Sequence, residues 1–281
     1  MLDGAIDPKA LSKLARERGF PAIAICDRNG LYGAPAFAKA CLEEGIQPII
    51  GALVGVVSPF GDGHFDNIPL YAQNERGYQN LCHIVSKAHL DRPVDLPPHV
   101  SLDSIDGYTD GLIAFTGAGQ GSLSRLLAEG QTTHASLLLE KLEKLFPSRL
   151  YIEIARLGDV ISDQAEDNLL EMAYKRGIPL VATNPAQFAE PGFYKAHDAM
   201  LCIANSSHVD AEDRQKTNPE AWVKSADLMN DLFADLPEAT ANSLVVAQRC
   251  AFMPPDRDPI LPSLAGDSEG EEKVLANDAL L

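Results

Sequence analysis

Six short apolar runs, set between stretches of helical spacing, most limit what this chain can become. They are Ala22–Cys26, Gln47–Val57, Ile68–Ala72, Leu112–Thr116, Leu150–Ile154 and Pro179–Thr183. Most are continuously apolar rather than alternating, which is the pattern of strands covered on both faces. Asp7 and Pro8 offer an N-cap and a first-turn proline to a helix that Gly19 ends. Further helices are expected from Pro35 to Glu44, Glu75 to Ala88, Thr133 to Phe146 and Ser162 to Arg176, closed by Gly45, Pro147 and Gly177 where such stops occur. This alternation predicts parallel strands with right-handed crossovers, in an incomplete barrel or an open sheet. From about Ala189 the rhythm is helical only, at Phe193–Ile203, Ser225–Phe233 and Glu238–Cys250. A proline- and acid-rich tail starts at Pro254 and reads as a linker.

Composition excludes several classes. Hydrophobic residues make up 46% of the 281, enough for a large core and too many for global disorder. No apolar run reaches the roughly 18 residues of a membrane span, and Met1–Gly4 does not open like a signal peptide. The five cysteines, Cys26, Cys41, Cys82, Cys202 and Cys250, form no C-x-x-C pair, which fits a reducing cytosol rather than a disulfide framework. A net charge of -17 gives no reason to expect a face that grips nucleic acid.

Several stretches together resemble the PHP domain of the bacterial replicative DNA polymerase III alpha subunit, in an alphaproteobacterial-like form. Leu2-Asp3-Gly4-Ala5-Ile6 is similar to the family's "L-D-G-A-I" stretch, and Ala24 to Gly33 to the loop that ends its next strand. Gly45 to Gly51 resembles "G-I-K-P-I-I-G", and Leu70 to Leu81 resembles "L-L-A-x-N-x-x-G-Y-x-N-L". Gly177–Asn184 and Ala196–Ile203 are similar to two later blocks. The resemblance implies an α/β fold, a PHP-type distorted (β/α)7 barrel. The chain supplies six of the seven strands and is expected to lack the first, which carries an "H-x-H" segment, so a rearranged or plugged barrel is expected. It also implies a PHP domain over residues 1–253, with the β/α barrel to about 188 and a helical extension over 189–253. Residues 254–281 are then a linker or the start of a further polymerase domain.

Active members of the family hold up to three zinc or manganese ions on clustered His, Asp and Glu side chains, which activate water for phosphoester hydrolysis. Carried over residue by residue, the pattern mostly fails here. Asp3 is the one ligand position still filled, and Asp27 stands behind the ligands. Histidine positions fall on Arg28, Asn67 and near Leu157, a glutamate position falls on Leu53, and the last ligand block becomes Asn184-Pro185-Ala186-Gln187. Arginine and leucine bind no metal, and one carboxylate holds no cluster. The former metal-site region is therefore Asp3, Asp27, Arg28, Leu53, Asn67, Leu157, Pro185 and Gln187, with no catalytic residue, no metal and no cofactor expected.

Each retained polar group has a plainer reading. Asp27 suits a turn with Asn29-Gly30, and Arg28 suits a salt bridge to Asp3 or Asp27, or solvent. His197 and Asp198 are adjacent on a helix, about 100° apart, so a structural histidine is expected rather than a base with its orienter. Gly117-Ala118-Gly119-Gln120-Gly121 suggests phosphate cradling only weakly, because the P-loop lysine is missing.

The resemblance implies a non-catalytic scaffold domain of a DNA-directed DNA polymerase in the cytoplasm. Its expected partners are other polymerase III subunits, above all the proofreading exonuclease subunit. DNA and the polymerase's magnesium are engaged elsewhere, and no membrane is involved. The alternative is a metal-dependent phosphoesterase or 3′-5′ exonuclease built on Asp3, Asp27, Asp66 and His64. A free-standing relative with a binding role outside replication is a third reading, which the Gln73–Leu81 block disfavours.

Overall fold

A computed structural model of the chain describes residues 4–255, 265–266 and 268–280. All six apolar runs are strands: β1 (Ala22–Arg28), β2 (Gln47–Val57), β3 (Phe65–Ala72), β4 (Leu112–Phe115), β5 (Leu150–Ile154) and β6 (Leu180–Ala182). They form one six-stranded sheet in sequence order. The helices are α1 (Pro8–Glu17), α2 (Ala34–Glu44), α3 (Glu75–Leu90), α4 (Ser122–Ala128), α5 (Thr132–Leu145), α6 (Val160–Arg176), α7 (Tyr194–Ala204), α8 (Ala226–Leu232), α9 (Pro237–Arg249) and α10 (Ser268–Asp278).

The local signals act as their chemistry dictates. Asp7 Oδ1 accepts from the backbone N–H groups of Lys9 and Ala10 at the start of α1, while Gly45 and Gly177 end α2 and α6 in the left-handed conformation. Two α-helices went unread in the sequence. One is the seven-residue α4, and the other is α10, which stands where a linker was expected and is exposed along most of its length.

The expectation of an all-parallel sheet is corrected. β1–β2, β4–β5 and β5–β6 are parallel, but β2–β3 and β3–β4 are antiparallel, so β3 runs against the rest. The short link between β2 and β3 carries no helix, and a parallel return needs a crossover of about a dozen residues or more.

Alternation along the strands sends side chains to two cores. On the outer face Val54, Ile68, Leu70, Leu112, Ala114, Ile152 and Ile154 pack with Leu81 and Ile84 of α3, Leu126 of α4, Leu139 of α5 and Leu169 of α6. Ile50 joins Ala15 of α1 with Phe37 and Cys41 of α2. On the inner face Ile49, Tyr71, Ile113, Phe115, Tyr151 and Val181 surround Val246, Ala247 and Cys250, with Ala22 and Cys26 of β1 packed against them. The two outermost strands thus converge on the end of α9, which makes the sheet a curled, open barrel with α9 and the residue after it as its plug. Polar contacts fix that plug. Asn242 Nδ2 donates to the Leu180 carbonyl on edge strand β6 at 2.7 Å, and Gln47 Nε2 donates to the Ala247 carbonyl at 2.6 Å. Arg249 donates to the Tyr151 hydroxyl at 2.9 Å. An edge strand covered in this way is no longer a free template for pairing.

Candidate functional site

The C-terminal ends of the parallel strands form one rim. Arg28 closes β1 opposite Leu53, and Asn67 on β3 lies opposite Gly55. Arg28 Nη1 donates to Asn67 Oδ1 at 2.9 Å and Nη2 donates to Gln120 Oε1 at 3.0 Å. One guanidinium thus ties the end of β1 to β3 and to the glycine loop after β4. Alternation gives the preceding residue a different fate. Asp66 faces the helices, where Arg125 of α4 holds it through Nε to Oδ1 at 3.0 Å and Nη2 to Oδ2 at 2.9 Å.

The loop after β1 is held from several sides. Asp27 Oδ2 accepts from the Gly33 amide at 2.8 Å, the turn role open to it in the sequence. Asn29 takes a positive φ of 47°, and its Oδ1 accepts from the Gly55 amide at 2.7 Å. Its carbonyl lies 2.7 Å from His89 Nε2. Gly55 tolerates no side chain there, since a Cβ would stand 2.5 Å from the Pro98 carbonyl oxygen.

The inner face carries a group the sequence reading passed over. Glu153 on β5 is 4% exposed. One carboxyl oxygen accepts from the Gly117 amide at 3.1 Å and the other lies 2.6 Å from Thr183 Oγ1. Burial raises its pKa to about 7, with those two hydrogen bonds pulling the other way. Tyr71 and Cys26 face it, hydroxyl bonded to thiol, and burial pushes the Cys26 thiol to about 12. The signal for Glu153 was present: one acid in a run otherwise covered on both faces has nowhere to go but inside.

The remaining site candidates sit in the loops that follow β5 and β6. The Leu157 carbonyl accepts from Asn218 Nδ2 at 3.0 Å. The Gln187 amide donates to the Ala221 carbonyl at 2.8 Å and its carbonyl accepts from the Ala5 amide at 2.7 Å, with half-buried Pro185 two residues before it. These backbone bonds stitch the loop after β6 to residues 218–223 and to the first described residues. Asp3 lies outside the described residues. His64 and Asp66 join no ligand cluster with Asp27, and among the described residues no group of three or more His, Cys, Asp or Glu is placed to hold a metal ion. A guanidinium, two amides and a leucine do not fit a metal cluster. The glycine loop does not cradle an anion through Gly117, whose amide is turned inward to Glu153. His197 is fully buried with Nδ1 2.5 Å from Thr217 Oγ1, whereas Asp198 is clamped by Arg214 at 2.8 and 2.7 Å, which lowers its pKa. The two adjacent side chains diverge as helical geometry requires. Among the described residues no helix is long and apolar enough to cross a membrane.

The PHP domain family profile matches residues 1–157. The chain is 42% identical over 287 residues to the DNA polymerase III subunit alpha of Caulobacter vibrioides, covering 99% of this chain and 25% of that protein. It is 31% identical over 251 residues to the same subunit of Pseudomonas aeruginosa, covering 89% and 21%. The chain therefore spans about a quarter of the length of these relatives. Among solved structures, a protein described as a metal-dependent phosphoesterase from Bifidobacterium adolescentis superposes with a TM-score of 0.44 at 13% identity, over 65% of this chain and 82% of that one. The chain belongs to the PHP domain family.

Proposed function

We propose that this chain is a non-catalytic PHP domain of a DNA polymerase III alpha subunit, acting as a scaffold in the cytoplasmic replication machinery. The observation that carries the reading is the Arg28 bridge to Asn67 and Gln120, which puts hydrogen bonds where the family resemblance implies metal ligands. Such a bridge ties strand ends together without activating water, because a guanidinium is all donor and has no acid–base function near neutral pH. Residues 1–253 are the domain in this reading, and 254–281 lead out of it. Templated nucleotide addition, with its magnesium, belongs to other parts of the polymerase.

The scaffold docks other polymerase III subunits, in particular the proofreading exonuclease subunit. The relatives' shared name supports membership of a polymerase III complex, and the lumen plugged by Val246, Ala247 and Cys250 supports a binding role over a catalytic one. Titration of the 281-residue chain with the exonuclease subunit, followed by calorimetry, tests the docking. Saturable one-to-one binding is expected. No binding, together with an alpha subunit that stays stable when this region is deleted, would overturn it.

A further inference from the structure

Where the glycine loop meets the first turn of α6, the structure leaves a small cavity of about 10 Å³. Ala118, Ser124, Glu153, Ser162 and Glu166 are among the residues that line it. Two of them bring unpartnered hydroxyls. Ser124 Oγ on α4 and Ser162 Oγ on α6 are both shut off from solvent and make no hydrogen bond within the protein. Ser124 is 0% exposed and Ser162 7%. The backbone amide of Ser162 is separately satisfied by Asp159 Oδ1 at 2.9 Å, so the hydroxyl alone is left over. A native interior rarely leaves such groups unpaired, and both of these serines line the same cavity.

The surroundings are shaped closely around this spot. A Cβ on Gly119 would stand 2.4 Å from Asp159 Oδ1 and 2.7 Å from Ser162 Oγ, so only glycine lets the loop lie this low over the helix. The cavity has room for about one water and nothing larger, and a buried water needs two to four polar partners. We propose that this cavity is a built site for a single water molecule, which bonds to both serine hydroxyls and joins α4 to α6 beneath the glycine loop. Glu153 or Glu166 completes its coordination. The ligand is neutral and both gives and accepts hydrogen bonds, as two hydroxyls beside carboxyl groups require. The site therefore braces the same loop from which Gln120 reaches Arg28.

The test is a crystal structure of the 281-residue chain together with a double-mutant cycle on Ser124→Ala and Ser162→Ala, read by urea unfolding. One ordered water about 2.7–3.2 Å from both Oγ atoms is expected. Each single substitution is expected to raise the unfolding constant about tenfold, and the pair to raise it clearly less than a hundredfold, because the second change acts on a water already half released. An empty cavity, an ion at metal-ligand distances, or hydroxyls turned onto backbone carbonyls would overturn the proposal, as would strictly multiplicative effects. If either variant fails to fold, the electron density decides alone.

Discussion

Arg28 and Asn67 meet guanidinium to amide oxygen at 2.9 Å, although β2 separates their strands in the sheet. Both occupy positions where the family resemblance implies histidine ligands. The arginine also reaches Gln120 at 3.0 Å, so one side chain joins three segments of the rim. Arg28→Ala is expected to lower stability by roughly 1–2 kcal/mol, and Asn67→Ala to add little in that background, since both delete the same bridge. Urea unfolding of the two single variants and the double variant checks this. Additive losses would mean that the bridge carries no energy.

The pair Asp66–Arg125 is shielded, with both side chains about one-tenth exposed. Asp66→Asn leaves a desolvated guanidinium with only Asp62 at 3.4 Å and Glu129 at 3.2 Å to answer it. The expected loss is about 2–4 kcal/mol, and Asp66→Leu combined with Arg125→Met should recover most of it. Thermal melts of the three proteins separate a buried pair from an indifferent surface contact.

α9 is expected to behave as core although it follows the last strand. Val246→Asp puts a carboxylate among Ile49, Tyr151 and Val181 and should cost about 3–5 kcal/mol. Asn242→Ala removes only the donor to the Leu180 carbonyl and should cost about 1 kcal/mol. Comparable, small losses in both, measured by denaturant titration, would show that α9 does not fill the lumen.

Glu153 makes stability fall as pH rises. Its pKa goes from 4.5 in the unfolded chain to about 7 in the folded one, so the folded state holds its proton longer. The contribution is fully present below pH 4.5 and is lost by the time pH passes 7, in all on the order of 3 kcal/mol. Glu153→Gln should remove this slope and leave the remaining pH profile intact. Parallel profiles for the two proteins between pH 4.5 and 8 would show that the buried carboxyl ionises as freely as an exposed one.

Strand positions were legible because Leu112–Phe115 and Leu150–Ile154 are buried on both faces and so carry no competing pattern. The direction of β3 was not, because periodicity reports which face a residue takes and says nothing of which way the chain runs. Only the short link between Val57 and Phe65 held that information. That Arg28 and Asn67 stand where the family resemblance implies histidines could be read residue by residue, but not their contact with each other or with Gln120. That contact depends on how far the loop after β4 folds back, and Gly117 with its φ of 90° governs that turn. Glu153 was passed over as one letter in an apolar run, although its isolation was itself the clue.

The central claim is that this domain holds its strand ends with side-chain hydrogen bonds and does no metal-dependent hydrolysis. Elemental analysis of the purified chain, with a phosphoester assay in Mn²⁺ and Zn²⁺ on the same sample, tests it most directly. The account predicts no stoichiometric metal and no turnover. About two or more ions per chain, with hydrolysis abolished by Asp3→Ala, would contradict it.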